Sequence, residues 1–186
     1  YEVRHLERLD RKGLLILANH PSLIDVVFLI SLIPRADCIV KASLLRNPFT
    51  RGPIHAAGFI CNSGGAQLVE DCNRSLAEGN NLIIFPEGTR TPLVGEVKLQ
   101  RGAAHVAVKG RVNITPVHIH TSLPMLPKGR PWWKVPARKP HFIFEVREDI
   151  DIHEFCVAAG NESLAARQVT DYLSDHLFRG PSRASA

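Results

Sequence analysis

Apolar residues in this chain fall into short bounded runs of two kinds. Leu14-Leu15-Ile16-Leu17-Ala18 is uninterrupted and follows Gly13, which predicts a buried strand. Residues 26–33 form a longer apolar run that stops before Pro34 and predicts a helix. Residues 37–41 and 58–61 predict two more strands, the second leading into the turn signal Asn62-Ser63-Gly64-Gly65. Between them, residues 43–57 carry Pro48 and Pro53 among basic residues and predict loop with a short helix. Residues 66–78 place Leu68, Val69, Cys72, Leu76 and Ala77 at helical spacing, with Gly79 where a C-terminal cap belongs.

The second half continues the alternation. Asn81-Leu82-Ile83-Ile84-Phe85 predicts a buried strand stopped by Pro86, and residues 102–109 a helix closed by Gly110. Residues 111–120 predict a strand whose Pro116 should sit at an edge, a start or a bulge. Residues 142–146 alternate as a strand does. Residues 162–177 predict an amphipathic helix with Leu164, Val169, Tyr172, Leu173 and His176 on one side. The charged stretch 1–12 predicts an opening strand or short helix, and 180–186 a frayed tail. Strands alternating with helices argue for a single α/β domain over 1–186, a sandwich with a central mostly parallel or mixed sheet flanked by helices.

Composition narrows this only in part. At 186 residues and 45% hydrophobic the chain can bury one substantial core. It opens on Tyr1 rather than Met, so the expectation is a fragment lacking an N-terminal segment. No apolar run reaches the length of a membrane span, and no signal-peptide pattern opens the chain. A formal net charge of +5 favours anionic partners: phosphorylated small molecules, lipid headgroups, acidic carrier proteins or nucleic acid. Cys38, Cys61, Cys72 and Cys156 show neither C-x-x-C pairing nor metal-finger spacing, so no metal is expected and the thiols read as free.

Two turns carry candidate chemistry. Asn19-His20-Pro21-Ser22-Leu23-Ile24-Asp25 joins the first predicted strand to the first predicted helix. Pro21 pushes His20 out of the αR region and suits a first helical turn, which places Asp25 near the helix start. Bent at His20, the chain can fold the Asp25 carboxylate back onto the imidazole, fixing its tautomer and raising the basicity of the other nitrogen. Ser22-x-x-Asp25 also fits a capping box, in which Asp25 only closes the helix start. The second turn, Phe85-Pro86-Glu87-Gly88-Thr89-Arg90, follows the second buried strand. Gly88 permits a tight turn, Thr89 offers a hydroxyl and Arg90 a planar fork for phosphate or carboxylate. The simpler alternative is a surface turn in which Glu87 and Arg90 pair with each other.

Together the two blocks resemble the glycerolipid (lysophospholipid) acyltransferases. The first matches that family's H-x-x-x-x-D block with its leading Asn, and the second its F-P-E-G-T-R block letter for letter. Gln100-Arg101-Gly102-Ala103 and Ile114-Thr115-Pro116-Val117-His118 resemble two weaker blocks, so the likeness runs from about Gly13 to Val146. It implies transfer of a fatty acyl group from an acyl thioester, acyl-CoA or acyl-ACP, to a hydroxyl of a lysolipid or related acceptor, with no further cofactor. His20 would be the general base and Asp25 its orienting carboxylate. Glu87, Gly88, Thr89, Arg90 and Arg101 would bind substrate, and amides around Gly88 could serve an oxyanion. In one block the chain departs from the family: Ser63 stands where an arginine is usual. That departure predicts that lysophosphatidic acid and glycerol phosphate are disfavoured acceptors unless Arg90, Arg101 or Arg74 compensates.

Residues 126–141 interleave Lys128, Arg130, Lys134, Arg138 and Lys139 with Trp132 and Trp133. Indoles beside cations anchor at lipid interfaces, so Trp132, Trp133 and Lys134 are the expected membrane contact, at the cytoplasmic face. Packing of both tryptophans on the core is the alternative. A nucleic-acid surface would need a recognisable module, and none is present. Two rival functions remain: a lipid esterase or transacylase using the same dyad, and a non-catalytic lipid- or carrier-binding domain. The absence of a G-x-S-x-G elbow argues against a serine hydrolase.

Overall fold

The computed structural model describes residues 1–62, 64–92, 97–123, 125–126 and 136–178. Its strands are β1 (Glu2–Arg4), β2 (Leu15–Ala18), β3 (Ala36–Lys41), β4 (Ile60–Asn62), β5 (Asn81–Ile84), β6 (Ile114–Thr121) and β7 (Phe142–Val146). They form one sheet in the order β1-β7-β6-β2-β5-β3-β4. Every neighbouring pair is parallel except β6 with β7. β2, β3, β4, β5 and β6 therefore end at one edge of the sheet. Helices α1 (Asp25–Leu32), α2 (Ala42–Arg46), α3 (Pro48–Ala57), α4 (Gly65–Ala77), α5 (Gly102–Gly110), α6 (Ile152–Ala159) and α7 (Glu162–Leu173) complete the chain, with a 3-10 turn at Leu6–Leu9 and a π turn at Ser174–Phe178. The α/β sandwich expected from the sequence is the fold observed.

The continuous apolar runs are explained by a sheet covered on both faces. Leu15 and Leu17 of β2 point into one core, shared with Leu82, Ile84 and the inward sides of α4, α5, α6 and α7. Ile16 and Ala18 point the other way, to Leu29 of α1, Ile83, Val117, Ile119 and Phe144. All four β2 residues are fully buried. β2 and β5 lie side by side at the centre, with Leu17 opposite Ile84.

Several elements depart from the pattern reading. Residues 43–57 are helical almost throughout, because Asn47 caps α3 by accepting from Phe49 N at 3.0 Å and Pro48 occupies the first turn, where no N–H is needed. α6 has no counterpart in the pattern; Asp151 caps it by accepting from His153 N at 2.9 Å. The cap of α5 is Arg111 (φ 50°), with Gly110 still inside the helix, where a Cβ would collide with Asn73 Oδ1. Close packing against α4 explains that glycine. The final helix buries Ala165, Ala166, Val169 and Leu173, while Leu164 faces solvent. Pro116 lies in an interior strand, yet its carbonyl accepts from Arg147 N at 2.8 Å just past the end of β7, so its missing N–H falls where that ladder stops. Ser63, the segment 127–135 with Trp132, Trp133 and Lys134, and the tail 180–186 lie outside the described residues.

Candidate active site

β2 and β5 stop together, and the two motif turns leave from their adjacent ends. Leu17 pairs with Ile84, so His20 and Glu87 each lie three residues beyond matched positions. This register brings sequence-distant groups together at the edge where α/β folds place their ligands. The His20 ring stacks on Phe85, with centroids 4.2 Å apart and planes 25° from parallel.

His20 is held at its backbone and at its ring. Its N–H donates to Glu87 Oε1 at 2.9 Å and to Thr91 Oγ1 at 3.1 Å. Its carbonyl accepts from Thr91 N at 2.7 Å, and the Thr91 hydroxyl donates to Glu87 Oε1 at 2.6 Å. The imidazole Nδ1 lies 3.0 Å from Asp25 Oδ2, with the side chain 17% exposed and Asp25 wholly buried. Asp25 also accepts from Ser22 N at 2.7 Å and from Ser22 Oγ at 2.5 Å. A buried carboxylate with three donors is satisfied and fixed. Nδ1–H donation to Asp25 leaves Nε2 with its lone pair.

The His20–Asp25 contact forms and Asp25 also fastens Ser22, but the capping box does not form, since α1 starts at Asp25 with Ile24 as its N-cap and no side-chain cap bond. The local path differs from expectation in one respect: Pro21 precedes a bend, and the helix begins only at Asp25. Asn19, buried at the end of β2, donates from Nδ2 to the Ile119 carbonyl at 2.8 Å and accepts from Ile119 N at 2.6 Å. It extends the β2–β6 ladder by a side chain after the backbone has turned away.

Glu87 is 5% exposed and turned inward onto the His20 backbone rather than out toward solvent. Burial raises its pKa, and Oε2 has no hydrogen-bond partner among the described residues. The Glu87–Arg90 pair of the simpler reading does not form; Arg90 Nη1 donates to the Leu126 carbonyl at 2.5 Å. Gly88 adopts φ 64° and spends its N–H on the Phe85 carbonyl at 3.0 Å, so that amide is not free for an oxyanion. Thr89 is partly exposed on the same turn. Arg101 stands at the start of α5, tied to this edge because Gln100 N donates to the Pro86 carbonyl at 2.7 Å. Arg74 is elsewhere, paired with Asp71 at 3.4 Å and bordering a cleft that does not include His20.

Thr91 and Phe85 join the site only in the structure, against the His20 backbone and ring. Thr91 lies one residue past the second motif, and its position against His20 follows only from strand register. Two clefts at the other edge, one bordered by Arg8, Arg147 and Asp149 and one by Arg35, Asp37 and Arg74, do not include His20. Their charges are largely spent internally: Asp149 takes a bidentate Arg11 at 2.7 and 2.9 Å, and Asp37 accepts from Ser75.

A histidine fastened to a buried carboxylate therefore stands at the ends of two central parallel strands. Residues 1–120 match the profile of the family described as Acyltransferase, and the chain belongs to that family. It is similar to the 1-acyl-sn-glycerol-3-phosphate acyltransferases of Pseudomonas aeruginosa (31% identity, covering 74% of this chain and 55% of that protein) and Helicobacter pylori (32% identity, 61% and 51%). The chain spans about half the length of these curated relatives. Its fold matches the crystal structure of the 1-acyl-sn-glycerophosphate (LPA) acyltransferase from Thermotoga maritima, with a TM-score of 0.72 and 24% identity, over all of this chain and 73% of the other.

Proposed function

We propose that the chain moves a fatty acyl group from a thioester donor, acyl-CoA or acyl carrier protein, to the free hydroxyl of a lysophospholipid. His20 Nε2 takes the hydroxyl proton as the oxygen attacks the thioester carbonyl. Asp25 holds the Nδ1 proton and stabilises the imidazolium that forms. Collapse of the tetrahedral adduct breaks the carbon–sulfur bond. The thiolate leaves with the proton from Nε2, and the products are an ester and a free thiol. The observation that carries this reading is the 3.0 Å bond from His20 Nδ1 to the buried Asp25, on a residue whose backbone N–H and C=O are both fastened.

The hydroxyl of Ser22 donates to Asp25, not to His20. The ring is therefore left for a substrate hydroxyl, which supports direct transfer over an acyl-serine route. Arg90 and Arg101 at the same edge suit a phosphate, of the acceptor headgroup or of the donor. The described residues include no helix long and apolar enough to cross a membrane.

Two considerations pull the acceptor in different directions. The relatives' names specify 1-acylglycerol 3-phosphate, whereas Ser63 lacks the charge of the arginine usual there. A competition of lysophosphatidic acid against lysolipids with other headgroups, with labelled acyl-CoA and mass spectrometry of the esters, decides between them. Acceptor-dependent release of thiol with one ester formed per thiol is the expected result. Thiol release without acceptor would make the chain a thioesterase, and none at all would make it a binding domain.

A further inference from the structure

α2 and α3 are unlike every other helix of the fold. A helix in a water-soluble domain normally buries an apolar stripe. α2 buries no residue and α3 only Ile54, whereas α7 alone buries four. The bonds that fasten the pair are its own: the Thr50 hydroxyl donates to the Leu44 carbonyl at 2.5 Å, and Asn47 caps α3. Pro53 sits inside α3 and withdraws one helical hydrogen bond. Two large apolar side chains nevertheless point outward, Phe49 at 88% exposure and Leu44 at 39%.

The charge of this region is one-sided. From Cys38 to Val69 the chain has no Asp or Glu, while Lys41, Arg46 and Arg51 are exposed. α2 begins where β3 ends, at the same sheet edge as His20 and the Glu87 turn. An exposed aromatic ring beside cations, with no acid among them, is complementary to the headgroup region of an anionic bilayer.

We propose that α2 and α3 are the face by which this chain lies on an anionic lipid surface. Phe49 and Leu44 enter the headgroup layer, Lys41, Arg46 and Arg51 meet lipid phosphates, and the His20 edge is turned toward the source of lipid acceptors. This is a claim about binding and stands or falls apart from the acyl-transfer reading.

Sedimentation of the chain with phosphatidylcholine vesicles, with and without phosphatidylglycerol, tests it. Binding should require the anionic lipid and weaken with salt. Phe49→Ser should weaken it roughly tenfold. Removing Arg46 or Arg51 should cost roughly fivefold each at low ionic strength. Leu164→Ser, an apolar residue of α7 with 41% exposure, should change nothing. Circular dichroism melts of each variant exclude unfolding as the cause. Equal binding by all variants would overturn the proposal. So would vesicle-independent binding to an acidic acyl carrier protein through the same residues.

Discussion

The turn at His20 and the α2–α3 pair flank one edge of the same sheet and are built on opposite terms. At His20 both backbone groups, one ring nitrogen and one ring face are engaged by Glu87, Thr91, Asp25 and Phe85. In α2 and α3 a single side chain, Ile54, is buried over two helices. The contrast fits the work assigned to each. A general base must be held in reacting geometry, since small displacements forfeit much of the rate. A surface that meets a partner must keep its apolar and charged groups free until the partner arrives.

The comparison breaks most visibly at Asp25. Asp25→Asn keeps an acceptor for Ser22, but its amide can donate to His20 Nδ1 and leave the proton on Nε2, the wrong nitrogen. Turnover should fall by about 10²-fold or more while the fold survives. Near-normal turnover would reduce Asp25 to an anchor for the Ser22 bend. Thr91→Val comes next, because it removes the hydroxyl between His20 N–H and Glu87 but keeps the shape. We expect kcat to drop about tenfold with KM nearly unchanged, and stability to fall by ~1 kcal/mol. An equal loss in kcat and in substrate affinity would mean that Thr91 contacts substrate.

Glu87 sharpens the same clamp through pH. Burial raises its folded-state pKa above the unfolded value, so the stability it contributes is full below about 4.3 and is lost as pH rises through the raised value. Glu87→Gln keeps the acceptor for His20 and Thr91 and removes the titration. The Tm difference between Glu87→Gln and the parent should therefore grow in favour of the glutamine across that window; parallel curves would contradict it. At the other end of the scale, Phe49→Ser should leave stability within ~0.5 kcal/mol, since Phe49 packs against little. A loss of several kcal/mol would show that α3 depends on Phe49 for its fold.

The same contrast sets what could be read from the sequence. Buried strands announce themselves by unbroken apolar runs, so β2 and β5 were legible nearly to the residue. The spacing from His20 to Asp25 across Pro21 was legible because the contact is local. The second motif by itself does not disclose the inward turn of Glu87 onto His20, since that depends on pairing Leu17 with Ile84. Thr91 was missed for the same reason. Residues 43–57 read as loop with a short helix because Pro48 and Pro53 count as breakers in the sequence, whereas Pro48 sits in the first turn of α3 and Pro53 is carried inside it. α6, short and held by its Asp151 cap, left too few apolar turns to register.

Single-turnover assay of His20→Ala tests the central claim most directly. Enzyme in excess over acyl-CoA, with lysophospholipid present, should release thiol and form ester in equal amounts for the parent. For His20→Ala both should fall together by 10²–10⁴-fold, with binding of acyl-CoA retained. Ester formation by His20→Ala at a rate close to that of the parent would contradict the account and move the base elsewhere.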